Sequence, residues 1–362
     1  MDDLPIDVLL QVMHFLPIKS VFGVMRVNKE FELASRITVR SRESLSLEVH
    51  RNYLPIDGLP EVPDGVNISP AERLEYQVDM EKSLLQMRKL KRLHVESYMI
   101  PMFSNITINM MIENNAETLE VVHLQACDSY SMPRKRLPKL RDLQIEQPPT
   151  GKRLQGYPML TRFSVRSLDI MGDSKELSLL PVTLTSLSLR GYSFNGDTPA
   201  AISHLVNLRH IEWTINYNGI GYAHWLLHCL LPFIHLTSIV FASETKGDPM
   251  DVNVILIEIV ERYPNLTTLK LHNVIWDIES MELLCQFRHL QHIVIGVSDK
   301  SGRWTDDDVR VFLTNGPIAT LRDVAVNVKD KDGAKGIVDE VKRQTGSNLT
   351  FDYEVDKFPF RF

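Results

Sequence analysis

Few residues in this chain are of a type and spacing that could do chemistry. His224 and His228 stand four apart, which would put two imidazoles on one face of a helix as metal ligands. They lack the glutamate of a His-Glu-x-x-His motif, and Trp225, Leu226 and Leu227 mark the segment as a core helix. Cys127, Cys229 and Cys285 are the only cysteines; they form no Cys-x-x-Cys pair and fit apolar packing positions. Gly219-Ile220-Gly221 is not followed by the further Gly, Lys and Ser/Thr that a phosphate-cradling loop needs. Asp306, Asp307 and Asp308 fall at a helix start, where carboxylates complement the helix dipole, so capping is expected there rather than metal ligation. His94 and His123 are expected to neighbour each other with no Ser or Cys nucleophile spaced to join them, which favours polar contact over catalysis. The expectation is therefore no catalytic residue, no metal and no cofactor.

The elements that position these residues come from a repeat. Leu-x-x-apolar-x-apolar occurs at Leu90, Leu119, Leu140, Leu160, Leu184, Leu208, Leu236, Leu266, Leu290 and Leu321. The spacing averages about 26 residues, inside the roughly 20–29 of leucine-rich repeats. In each copy the last two apolar residues are two apart, so they share one face of a short strand. One such strand cannot bury its face alone, and stacked copies make a continuous core under a parallel sheet. Between strands the apolar period lengthens toward 3.6, as in Asp251–Tyr263 and Thr305–Thr314, and Thr305 with Asp308 has the spacing of a capping box. The fold class expected is α/β: a right-handed curved solenoid with parallel strands on the concave side and helices on the convex side.

Residues 1–43 have a different texture. Pro5 suits a first helical turn; Val8, Leu9, Val12, Met13 and Leu16 make a helical stripe that Pro17 ends. A second helix over Ser20–Val27 and a third from near Asn28 follow, with more apolar surface than three short helices can bury. Leu4-Pro5-x-Asp7-Val8-Leu9-x-x-Val12-x-x-Phe15-Leu16-Pro17, followed by Val24-x-x-Val27-x-Lys29-x-Phe31, resembles an F-box; Phe31 stands where Trp is common. With the repeat behind it, the chain is similar to the F-box/leucine-rich-repeat family, which supplies substrate receptors to ubiquitin ligases built from a Skp-type adaptor, a cullin and a RING subunit. The resemblance implies an α/β fold of a three-helix F-box (1–43), an irregular repeat solenoid (44–346) containing a Pro-rich loop (54–70), and a C-terminal capping strand and tail (347–362). It further implies that Leu4, Pro5, Val8, Leu9, Val12, Leu16, Pro17 and Val27 contact the adaptor or pack the three helices. The chain itself would be non-catalytic, holding a target near the ubiquitin-loaded enzyme. The alternative is a repeat scaffold that acts outside ubiquitin transfer.

Alternation also names the outward positions of the strands. They are mixed and polar, suiting a protein or peptide better than a small apolar ligand. Arg92, His94, His123, Arg162, Arg166, Arg190, His210 and Lys270 are the candidate target-binding residues among them. The 362 residues carry 40 Lys and Arg against 46 Asp and Glu, a net −6, which argues against a nucleic-acid or membrane-surface partner. Yet Arg88–Arg166 holds 13 basic and 7 acidic residues, a local +6. Arginine forks recognise carboxylate and phosphate, so an acidic or phosphorylated target segment is one expectation for Arg162, Arg166 and Arg190, beside that of a plain solvated face. The acidic start, the lack of a long apolar run and the low cysteine usage lead to an expected cytoplasmic or nuclear home.

Overall fold

In a computed structural model of the chain, residues 5–16, 20–21, 24, 27, 29–49, 78, 81–97, 105–125, 135–146, 151–166, 174–190, 197–215, 227–243, 250–297 and 302–355 are described. They fall into two compact units that meet between Arg162 and Phe163 in sequence.

The first unit opens with helices α1 (Ile6–Phe15) and α2 (Lys29–Ser41) and continues with strand β1 (Ser44–Val49). Then come β2 (Arg92–Ser97), α3 (Asn105–Asn114), β3 (Val121–Gln125), β4 (Asp142–Ile145) and a 3-10 helix, Gly151–Gly156. The strands run parallel in chain order, with apolar rows Leu45–Leu93–Val122–Leu143 and Leu47–Val95–Leu124 in register. These rows point into the core; the intervening residues form the opposite, open face. Ser44–Val49, which alternates polar and apolar residues, is the opening strand of this run.

The second unit contains β5 (Arg162–Arg166, whose first residue belongs to the first unit), a 3-10 helix Ser174–Leu179, β6 (Ser186–Arg190), α4 (Thr198–Ile202), β7 (His210–Ile215) and β8 (Ser238–Ser243). It continues through the two-residue β9 (Met250–Asp251), α5 (Val252–Arg262), β10 (Thr268–Ile275), α6 (Ile278–Leu284) and β11 (His292–Val297). It ends with α7 (Asp306–Asn315), β12 (Asp323–Val326), α8 (Lys331–Thr345) and β13 (Thr350–Asp352). Its core row runs Leu187–Ile211–Ile239–Leu269–Ile293–Val324–Phe351 in unbroken parallel register. All ten repeat leucines are buried, each just before its strand. The chain is therefore an α/β protein of parallel, repeat-built strands with an N-terminal helical region.

The connecting element follows the repeat length. The 20-residue copy from Leu140 to Leu160 holds only a 3-10 turn and 24-residue copies hold a 3-10 turn or a short helix such as α4 or α6, whereas the 30 residues from Leu236 to Leu266 hold the eleven-residue α5. At α7 the capping box is present: Thr305 Oγ1 accepts the Asp308 N–H at 3.2 Å and Asp308 Oδ2 accepts the Thr305 N–H at 2.7 Å. Gly346, at φ 66°, closes α8 in the left-handed conformation that favours glycine. Strand β10 shifts register after His272, where Asn273 takes φ 59°.

Candidate functional site

Two surfaces carry the residues singled out by sequence. On the first, α1 begins at Pro5, whose carbonyl accepts the N–H groups of Val8 and Leu9 at 2.9 and 3.2 Å. Leu9, Met13 and Ala34 form the buried centre between α1 and α2, with Ile6, Leu10, Leu16, Val24 and Phe31 packed around them. Ser35 Oγ donates to the Val21 carbonyl at 3.3 Å, and the Arg42 guanidinium donates to the carbonyls of Met13 and Leu16. A cation thus caps the C-terminal end of α1, where the helix dipole favours it.

The packing separates residues that the motif alone could not. Leu9 is core, Leu16 is packed against the core, and Pro5, Val8, Val12 and Val27 are exposed. Leu4 and Pro17 lie outside the described residues. Three exposed apolar side chains were missed: Phe15, at 85% the most exposed of the large ones described, and Leu33 and Ile37 on α2. The signal was present, since 8, 12 and 15 follow the i, i+4, i+7 spacing of one helical stripe and 33 and 37 the i, i+4 spacing of another. Side chains of this size yield about 1.5–3 kcal/mol each when fully buried, enough together to drive docking of a partner.

The second surface is the open face of the sheet. In the first unit His94 and His123 lie side by side in register, ring centroids 5.8 Å apart and edge-on. His94 Nε2 is 3.6 Å from Glu96 Oε2, and His123 Nε2 is 3.2 Å from Asp142 Oδ1. Arg162, 70% exposed at its side chain, approaches the other Asp142 oxygen at 3.8 Å, and Arg92 is exposed on β2. In the second unit Arg190 pairs with Glu212 at 2.7 Å, and His210 Nδ1 is 2.8 Å from Ser238 Oγ. Arg166 and Lys270 are half-buried on the same face. So Arg162 and Arg190 stand beside carboxylates of their own unit, which sequence could not show because the partners come from neighbouring repeats. His272, an outward strand position by alternation, lies on this face yet is buried, and burial with the nearby Lys270 charge pushes its imidazole down to about 4.

Among the described residues no group of three or more His, Cys, Asp or Glu is placed to hold a metal. His228 is exposed, Cys229 is buried with its thiol pushed up by burial, and half-buried Cys285 is pushed up to about 11 by burial and Glu282. Cys127, His224 and Gly219–Gly221 lie outside the described residues, as does the Pro-rich loop. No described helix is long and apolar enough to cross a membrane.

Residues 1–37 match the F-box domain family. No curated protein matches the sequence. Among solved structures, an internalin from Listeria monocytogenes is 12% identical, with a TM-score of 0.44 and 94% of each chain covered. A protein from Bacteroides fragilis is 13% identical, with a TM-score of 0.35, covering 80% of this chain and 73% of its own. The chain thus joins an F-box domain match over residues 1–37 to parallel strands, ten of which are each set by one copy of the leucine repeat, the two features of the F-box/leucine-rich-repeat arrangement it resembles.

Proposed function

We propose that this chain is the substrate-recognition subunit of a cullin–RING ubiquitin ligase, working in the cytoplasm or nucleus. The observation that carries this reading is the F-box surface. Val8, Val12 and Phe15 line one exposed stripe of α1 while Leu9 and Met13, on its other side, complete the core. A Skp-type adaptor would cover that stripe together with Val27, Leu33 and Ile37, and would tie the chain to the cullin. The open face of the repeats would hold the target protein. The chain contributes no reacting group; it raises the local concentration of target lysines at the loaded enzyme.

The polar character of the open face supports a protein target. Arg162 and Arg166 are the residues through which an acidic or phosphorylated segment would be held, with Asp142 as the competitor of Arg162. Replacing both with Glu should abolish capture of such a target; unchanged capture would remove them from the binding surface.

The deciding experiment is co-purification of the full chain with the adaptor and the cullin. Recovery of all three in one complex, with ubiquitin transfer to a bound target, is expected. Capture of the adaptor without the cullin would favour a scaffold that acts outside ubiquitin transfer.

A further inference from the structure

On the open face of the second unit, Lys270 of β10 is a cation without an anion. Its side chain is half-buried, yet it makes no hydrogen bond or ion pair among the described residues. Arg190 on the same face is matched by Glu212. In register, Val240 of β8 and Val294 of β11 stand directly beside Lys270, and Thr268 and His272 precede and follow it on its own strand. The diagonal positions are Ser238 and Ala242 on one side, His292 and Gly296 on the other. No carboxylate is among these neighbours. The carboxylates of the adjoining strands stand two strands off, about 10 Å away. Each is engaged elsewhere: Glu212 of β7 by Arg190 and Ser188, and Asp323 of β12 by His292.

A lysine flanked by two valines has given up part of its hydration with no counter-charge in return. A carboxylate placed over it would supply that charge in a short, charge-assisted hydrogen bond. The Thr268 hydroxyl, two residues back on the same face, also makes no hydrogen bond among the described residues and offers a second donor. His272 brings no competing charge: burial first, and Lys270 second, hold its imidazole at about 4, so it is neutral near pH 7. One cation and one hydroxyl match the single charge and two oxygens of a carboxylate. A phosphate, with three oxygens and nearly two charges, suits converging arginine forks instead. To either side Val240 and Val294 present methyl groups, which match apolar residues next to the carboxylate.

We propose that Lys270, with Thr268 on the same strand, is the receptor for one carboxylate of a target peptide whose flanking residues are apolar and cover Val240 and Val294. The assignment rests on the reading of this face as the target-binding surface and names the chemistry of a group it takes. A Glu or Asp side chain and a free chain terminus both present that chemistry.

The test offers the full-length chain four sets of acetylated, largely apolar heptapeptides: amidated with one central Glu, free-acid with no acidic side chain, amidated with one phosphoserine, and amidated with no charge. Recovery of the Glu set or the free-acid set should exceed that of the uncharged set about tenfold or more, and the favoured set identifies the source of the carboxylate. Lys270→Met should lose the preference and Lys270→Arg should keep most of it. Lys270→Met should melt no lower than the parent, since it gives up no bond. In the parent itself, acetylation of the Lys270 amine by an active ester, followed peptide by peptide, should slow about tenfold under the favoured set and stay unchanged under the uncharged one, which covers the case that the variant disturbs the fold. Equal recovery of all sets, a preference for phosphoserine over both carboxylates, an unaltered preference in Lys270→Met, or an unprotected Lys270 amine overturns the proposal. The adaptor and the cullin do not enter these measurements, so their failure would leave the co-purification test of the ligase reading untouched.

Discussion

Arg190 reaches Glu212 with a nitrogen 2.7 Å from Oε1, across neighbouring strands, and the two side chains are only 18% and 11% exposed. Ser188 Oγ donates to the second Glu212 oxygen at 3.0 Å, so the carboxylate is held from two sides. An arginine that sequence offers as a receptor for acid already stands against an acid. Breaking a fully buried pair by removing one partner costs about 3–5 kcal/mol, and the residual exposure of this one reduces that to about 2. Arg190→Ala is expected to lose about that much stability in urea unfolding. The Arg190→Ala, Glu212→Gln double variant should recover part of it, because no charge is then left buried alone. Full additivity of the two single changes would show that the pair is not coupled.

The F-box surface predicts a split between stability and binding. Val12→Asp with Phe15→Asp changes two side chains that are 54% and 85% exposed, so the melting temperature should stay within a few degrees while adaptor binding is lost. Leu9→Ala opens a cavity beneath α1 and should cost about 2–5 kcal/mol, with adaptor binding lost only as far as the helices unfold. Calorimetric titration of adaptor into each variant, beside its thermal melt, separates the two. Unweakened binding by the double aspartate variant would mean the adaptor docks elsewhere.

The contrast between Leu9 and Phe15 shows what was legible in the sequence. Strand positions follow from a period of two and a leading leucine, and all ten repeat copies have their strand where the pattern puts it, because each apolar pair has one face to hide. Phe15 and Leu9 are equally apolar, and only the position of α2 decides which of them is inside. Helix α3 escaped notice because Asn105, Thr107 and Asn109 dilute its apolar stripe. The partners of Arg162 and Arg190 lie 20 and 22 residues away, on strands whose register no local spacing encodes.

Asn115 is another such residue, an unremarkable polar position in sequence that stitches two repeats together. Its Oδ1 accepts the Leu90 N–H at 3.0 Å, and its Nδ2 donates to the carbonyls of Met87 at 3.1 Å and Met111 at 2.8 Å. It is 1% exposed, so no water can take over those bonds. Asn115→Leu matches the volume but removes the side-chain partners of the Leu90 N–H and the Met111 carbonyl, while the Met87 carbonyl keeps the Arg88 guanidinium, and should destabilise the first unit by about 2–3 kcal/mol. Hydrogen exchange is the direct check: the Leu90 amide should lose protection first. An unchanged Leu90 amide would show that the bond is not formed in solution.

His272 makes stability depend on pH in a defined window. Burial first, and the Lys270 charge second, hold its imidazole at about 4, against 6.5 unperturbed. The groups facing it across the strands, Ala242 on β8 and Gly296 on β11 with Val355 beside it, carry no charge to offset this. Between those two values the unfolded chain binds a proton that the folded chain does not, so stability is intact above about pH 6.5 and falls as the pH drops toward 4. From pH 7 to pH 5 this one group should remove about 2 kcal/mol. His272→Asn lacks the titration, so whatever packing it loses, its unfolding free energy should change by about 2 kcal/mol less than the parent's over the same interval. Parallel pH profiles for the two proteins would mean that the folded state of His272 is open to water and protonates freely.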